Sequence, residues 1–164
     1  MDSRQYTACF TGHRKIEEPP AQVVYRLTET VRAVIGRGCR YFGAGGARGF
    51  DALASETVLR LKVQYPQIHL ILVLPFDEQY RHEGNWTQSE IEQYHRLKKS
   101  ASKVVILSRK YSPGIYYRRN RHLVDHSSIC IAYMTRTNSG TGCTTRYARE
   151  KGLQIINIAA QSNG

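Results

Sequence analysis

Tyr41-Phe42-Gly43-Ala44-Gly45-Gly46-Ala47-Arg48-Gly49-Phe50-Asp51 is the stretch on which the fold turns. A short apolar run enters it and four glycines sit within it. The pattern that leaves it is helical: Phe50, Leu53, Ala54, Thr57, Val58, Leu61 and Tyr65 share one face until Pro66 stops the run. A strand therefore hands the chain to a helix through a glycine-rich turn. Glycine allows positive φ and has no Cβ to hold a ligand off the backbone. A helix start adds unpaired N–H groups and the positive end of the helix dipole, a combination suited to phosphate. The turn is expected to cradle a phosphate-bearing small molecule, and a Cβ at Gly46 is expected to block that approach. No Gly-Lys-Ser/Thr follows and no strict GxGxxG trails the first strand, which speaks against a nucleoside triphosphatase.

Outward from this turn, strands alternate with helices. Gln5–Phe10 reads as a first strand. Pro19-Pro20 then opens a helix with Val23, Val24, Leu27, Val31, Val34 and Ile35 inward, ended by Gly36 and Gly38. The strand entering the glycine turn covers about 40–43. His69–Leu74 and Lys103–Leu107 are continuous β-branched and leucine runs, expected to be strands buried on both faces. Between them lie a polar loop, 75–87, and a helix, Gln88–Ser100. A helix is expected over Ile115–Asp125, a fifth strand over Ser128–Tyr133, a polar loop over 136–144, a helix to about Lys151 and a last strand over Ile155–Ile158. The final six residues are expected to fray. The alternation predicts one α/β domain over 1–164: a doubly wound, mostly parallel sheet of five to six strands with helices on both faces. Ligands bind such sheets at the carboxyl ends of the strands, where several polar, glycine-bearing segments fall together.

The chain has 164 residues and a formal net charge of +11, a balance that attracts phosphorylated ligands or nucleic acid. No apolar run approaches the roughly 20 residues needed to span a bilayer, and no basic start precedes an apolar stretch. A cytoplasmic protein without a membrane partner is the expectation. Cys9, Cys39, Cys130 and Cys143 form no CxxC pair and no zinc spacing, so free thiols and no metal site are expected.

Four segments carry candidate chemistry. Thr11-Gly12-His13-Arg14 follows the first strand; Gly12 permits close approach, and His13 and Arg14 offer donors to an anion. In the glycine turn, Asp51 serves either as a first-turn carboxylate for the helix dipole or as a holder of a ribose hydroxyl or of Arg48. Tyr116-Tyr117-Arg118-Arg119-Asn120-Arg121-His122, with Asp125 after it, interleaves aromatic rings and guanidinium groups that can stack on bases and clamp phosphates. Ser139-Gly140-Thr141-Gly142-Cys143-Thr144 offers backbone N–H groups and hydroxyls as a second phosphate cradle. Each segment alone also reads as an ordinary turn or a solvated face.

Taken in order, these segments resemble one family. Thr-Gly-His-Arg, Gly-x-Arg-Gly-x-Asp, Arg-Asn-x-x-x-x-Asp and a Gly-Thr loop before Tyr147-Ala148 are similar to the small YpsA-like proteins of the SLOG superfamily, which also contains the Smf/DprA and Lonely-guy proteins. The likeness covers about residues 5–158. It implies a Rossmann-like domain binding a nucleotide or nucleotide-derived ligand of the adenosine monophosphate, NAD or ADP-ribose type. The ligand-facing residues it implies are Gly12, His13, Arg14, Gly45, Gly46, Arg48, Gly49, Asp51, Arg119, Asn120, Gly140, Thr141 and Gly142, with Trp86 and Glu90 after the third strand.

Lonely-guy enzymes cleave the N-glycosidic bond of nucleoside monophosphates with a glutamate after a Pro-Gly-Gly-x-Gly-Thr loop. Here that loop reads Ser-Gly-Thr-Gly-Cys-Thr, and Arg146 stands where the glutamate would fall. Such cleavage needs a carboxylate; Asp51, Glu90 and Asp125 could substitute, with Asp51 and Glu90 the catalytic candidates. Ligand binding, as in a sensor, is therefore the first expectation and a phosphoribohydrolase-type N-glycoside hydrolase the second. Single-stranded nucleic-acid binding, as in DprA-like proteins, is the third. Related folds often dimerise, which leaves room for a homo-oligomer.

Overall fold

The computed structural model describes residues 2–160. Six strands form one parallel sheet: β1 (Thr7–Gly12), β2 (Tyr41–Ala44), β3 (His69–Phe76), β4 (Lys103–Ser108), β5 (Ile129–Tyr133) and β6 (Gln154–Asn157). Their order across the sheet is β4-β3-β2-β1-β5-β6. The helices are α1 (Pro20–Gly36), α2 (Phe50–Gln64), a single turn α3 (Tyr80–Glu83), α4 (Gln88–Ser100), α5 (Ile115–Asp125) and α6 (Gly140–Glu150).

The hydrophobic pattern explains the layers. Val23, Leu27 and Val31 of α1, Phe50, Ala54 and Val58 of α2, and Tyr94 and Leu97 of α4 pack with Phe10, Phe42 and Leu70 on one side of the sheet. Leu123 and Val124 of α5 and Ala148 of α6 pack with Cys9, Val73 and Cys130 on the other. The chain steps outward from β1 to β4 with its helices on the first side, then returns to β5 beside β1 and continues on the second. That is the arrangement right-handed crossovers require. The point where the strand order reverses lies between β1 and β5, where Gly12 pairs with Tyr133. There the loops leaving the two strands part to opposite faces and open a crevice.

Several boundaries differ from the sequence reading. Residues Ser3–Tyr6 form a 3₁₀ turn, capped by Asp2 accepting from the Arg4 N–H, so the first strand starts at Thr7. β3 runs through Pro75 to Phe76, because β2 ends opposite Leu72 and a missing N–H on the open side breaks no ladder. β4 is an edge strand and not a buried one: Ile106 is 44% exposed. The 136–144 segment is not wholly loop, since α6 begins at Gly140. Of the tail expected to fray, positions 161–164 lie outside the described residues, while the Ala160 N–H donates to Glu18 at 3.1 Å. Cys9, Cys39 and Cys130 are buried and Cys143 is half-buried, all as free thiols. Among the described residues no helix is long and apolar enough to cross a membrane.

Candidate functional site

The crevice at the reversal point has a volume of about 480 Å³, within the range of small-molecule sites. Its floor is the end of β1 with Thr11, Gly12, His13, Arg14 and Lys15. One wall is α5 with Tyr116, Tyr117, Arg119 and Asn120; the other is Arg136 with Ser139, Gly140 and Thr141 at the start of α6. Asp51 and Ala47 close it on the side of the glycine turn.

The start of α6 is partly capped by its own sequence. The Ser139 hydroxyl accepts from the Gly142 N–H at 3.0 Å, and the Cys143 N–H donates to the Ser139 carbonyl. The N–H groups of Gly140 and Thr141 have no partner among the described residues. They lie beside Arg136 in the crevice, so an anion there meets backbone donors, a helix dipole and a guanidinium together.

His13 is only 5% exposed. Its Nε2 accepts from the Thr135 N–H at 2.9 Å, which places the proton of the neutral ring on Nδ1. Burial and then the field of Arg136 hold its pKa below the usual 6.5, against an opposing pull from Glu17. The neutral ring is thus the folded-state form. Its contribution to stability is full above pH 6.5 and is lost as pH falls through the depressed folded value. His13→Gln, whose amide oxygen can take the Thr135 N–H, is expected to flatten the fall in Tm between pH 7.5 and 5. A Tm–pH slope equal to that of the wild type would show that His13 titrates freely.

Asp51 and Arg119 grip opposite ends of one residue. Asp51 Oδ2 accepts the N–H groups of Gly45 at 3.2 Å and Ala47 at 3.3 Å, while Arg119 Nη1 donates to the Gly45 carbonyl. Arg119 Nε donates to the Asn120 side-chain oxygen at 2.7 Å. Burial pushes the Asp51 carboxyl up, opposed first by Arg119 and then by the two N–H groups. Burial likewise lowers the Arg119 pKa, opposed by Asp51. A carboxylate and a guanidinium held this deep are each supported by the other's field.

Glu83 is the residue the sequence reading missed. Its side chain is 8% exposed and accepts from Trp86 Nε1 at 3.1 Å and from the Tyr116 hydroxyl at 2.9 Å; Arg14 Nη1 approaches it at 3.5 Å. Arg14 and Arg119 both lie over the Tyr116 ring, at 5.8 and 5.5 Å from its centroid. Glu83 thereby fixes the cation and the aromatic wall of the crevice. Trp86 is a local partner three residues on, but Arg14 and Tyr116 come from distant segments, and it is they that tie Glu83 to the crevice.

The structure gathers Gly12, His13, Arg14, Asp51, Arg119, Asn120, Gly140 and Thr141 around the crevice. It does not bring the others there. Arg48 turns away: its Nη1 donates to the Asn85 carbonyl at 3.0 Å, lies 3.9 Å from Glu90 and sits over the Trp86 ring. Glu90 closes a capping box, accepting the Thr87 N–H at 2.8 Å while its own N–H donates to Thr87. Trp86, Arg48 and Glu90 line a cavity of about 20 Å³, room for one water, on the far side of Ala47 and Asp51, which border it and the crevice alike.

The glycines of the turn are explained by the protein's own packing. A Cβ at Gly46, where φ is +74°, would stand 2.4 Å from Leu74; one at Gly45 would meet Arg119 at 2.8 Å. At Gly142 it would fall 1.9 Å from the Thr137 carbonyl, and at Gly12 it would strike the Phe50 ring. Only at Gly140, among the glycines named as ligand-facing, does a Cβ meet nothing within 4 Å.

A parallel sheet with a cation-lined crevice at its reversal point and a helix start facing it defines a Rossmann-like domain. The YpsA model, described as the YspA SLOG family, matches residues 9–158, and the chain belongs to that family. It is 27% identical over 141 residues to the SPbeta prophage-derived protein YoqJ of Bacillus subtilis (strain 168), covering 78% of this chain and 81% of that one. It is 32% identical over 115 residues to the UPF0398 protein BH1768 of Halalkalibacterium halodurans, covering 69% of this chain and 59% of the relative.

Two solved structures share the fold. DNA processing protein A of Helicobacter pylori aligns with a TM-score of 0.67 at 16% identity, covering 98% of this chain and 68% of that one. Its counterpart from Streptococcus pneumoniae aligns at 0.66 and 14%, covering 97% and 52%. The Helicobacter protein is described as having a single-stranded DNA binding mode.

Proposed function

We propose that the crevice binds a nucleotide or nucleotide-derived ligand, as a sensor would. The observation that carries this reading is the grouping of donors around one recessed carboxylate. Arg14, Lys15, Arg136 and the free N–H groups of α6 face the same 480 Å³ space as Asp51. Phosphate sits against the α6 start and Arg136, and a ribose hydroxyl donates to Asp51. The Asn120 amide lies within reach of a base. Binding ranks above N-glycosidic cleavage because Asp51 is, among the described residues, the sole carboxylate lining the crevice and its Oδ2 is already engaged in holding the glycine turn.

A thermal-shift series with adenosine monophosphate, NAD and ADP-ribose tests the reading. A ligand at 100 times its Kd stabilises by about 2.7 kcal/mol. For a chain of this size that raises Tm by roughly 5–10 °C. Arg14→Ala with Arg136→Ala is expected to abolish the shift without lowering the basal Tm by more than a few degrees. No shift with any of the three at millimolar concentration would sink the reading. Release of free base from a nucleoside monophosphate, lost in Asp51→Asn, would move the assignment to a hydrolase.

Single-stranded nucleic-acid binding is the second reading, favoured by the charge of +11 and by the fold shared with a protein described as binding single-stranded DNA. Its mark is a steep fall of affinity with salt.

A further inference from the structure

We propose that the exposed face of α5 is a second subsite of the crevice, taking the phosphate-bridged second nucleoside of a dinucleotide-type ligand. This rests on the nucleotide reading above. Tyr117 carries the connection: it is 56% exposed and lines both the crevice and the surface hollow beyond it. That hollow, about 480 Å³, is lined by Arg118, Arg121, His122, Asp125 and His126. Tyr117 and Arg121 lie four residues apart and Arg118 and Arg121 three, so ring and cations share one side of the helix.

The charge on this face is unbalanced. Arg118 and Arg121 form no salt bridge among the described residues. The sole carboxylate lining the hollow among the described residues, Asp125, already accepts from the Tyr147 hydroxyl at 2.7 Å. Arg121 lies over the Tyr147 ring at 5.2 Å, and the His122 and His126 rings stack with centroids 4.2 Å apart. An exposed ring flanked by two guanidinium groups without a carboxylate partner among the described residues matches a base followed by a phosphate: the ring stacks and the cations clamp. The crevice holds the first nucleotide, Tyr117 stands at the passage, and Arg118 and Arg121 receive the bridging phosphate. Two bridges share this chemistry, a pyrophosphate and a phosphodiester.

Calorimetric titration with adenosine monophosphate, NAD, the dinucleotide pApA and a ten-nucleotide deoxyadenosine strand separates the outcomes. At least one two-unit probe is expected to bind roughly 10- to 100-fold more tightly than adenosine monophosphate. The better of NAD and pApA identifies the bridge. Arg121→Glu and Arg118→Glu, which line the outer hollow and not the crevice, are each expected to remove most of that gain while leaving adenosine monophosphate affinity within twofold; Tyr117→Ala, which alters the crevice wall as well, is expected to weaken both. Equal affinity of wild type for one-unit and two-unit probes overturns the second subsite and leaves the first intact. No binding of any nucleotide overturns the nucleotide reading itself. A ten-nucleotide strand that binds far more tightly than pApA, with a steep salt slope, overturns the two-unit limit in favour of a nucleic-acid track.

Discussion

Arg119→Ala is expected to destabilise the fold by about 3–5 kcal/mol, the range for breaking a buried charge arrangement by removing one partner. Arg119 is 6% exposed, and its guanidinium donates to the Gly45 carbonyl and to Asn120. Its loss leaves that carbonyl without its donor and leaves Asp51 buried without the cation that opposes its desolvation. A domain of this size is stable by only about 5–15 kcal/mol, so the change is measurable as a large drop in the urea midpoint. Asp51→Asn in the same chain is expected to return part of the loss, because the uncompensated charge is then gone. A double-mutant cycle reads this as a coupling of about 1–3 kcal/mol. Strict additivity would show that the two residues act independently.

This pair illustrates what the sequence could and could not reveal. The strand–helix alternation, the parallel sheet and the helix limits of α1, α4 and α5 follow from periodicity, Pro and Gly, and these signals are local. The gathering of Gly12, His13, Arg14, Asp51, Gly140 and Thr141 at one strand edge follows from topology, because polar segments after β1, β2 and β5 must meet there, while Arg119 and Asn120 reach it from α5, the helix after β4. Arg48 and Glu90 were legible as charges but not as directions. Gly49 at φ +80° starts α2 beyond the turn, and Arg48 leans across to Asn85 and Trp86, a choice set by tertiary neighbours. Glu83 lay hidden for the same reason. Lys15 and Arg136 line the crevice beside segments already singled out, and adjacency to those motifs was the available signal.

The glycine turn was read as open backbone for a ligand, and its strongest expected effect concerns the fold instead. Gly49→Ala should destabilise by about 3–5 kcal/mol, combining a backbone conformation worth roughly 1–3 kcal/mol of strain with an overpacking term of similar size. The added Cβ would lie 2.1 Å from the Arg14 carbonyl oxygen, a backbone atom that cannot swing aside. Next to it the Phe50 N–H donates to the His13 carbonyl at 3.2 Å, and the Phe50 ring occupies the space a side chain at position 12 would need. The 12–14 turn and the 45–50 turn are therefore one mechanical unit, and displacing either moves His13, Arg14 and Asp51 together. Gly140→Ala is the contrasting case: it lies in the crevice, meets nothing within 4 Å and should change stability by less than about 0.5 kcal/mol. Urea unfolding of the two variants checks the contrast. If Gly49→Ala unfolds at the wild-type midpoint, the two turns are not locked. Nucleotide titration of folded Gly140→Ala then reports on the α6 start alone, since every other element of the crevice stays in place.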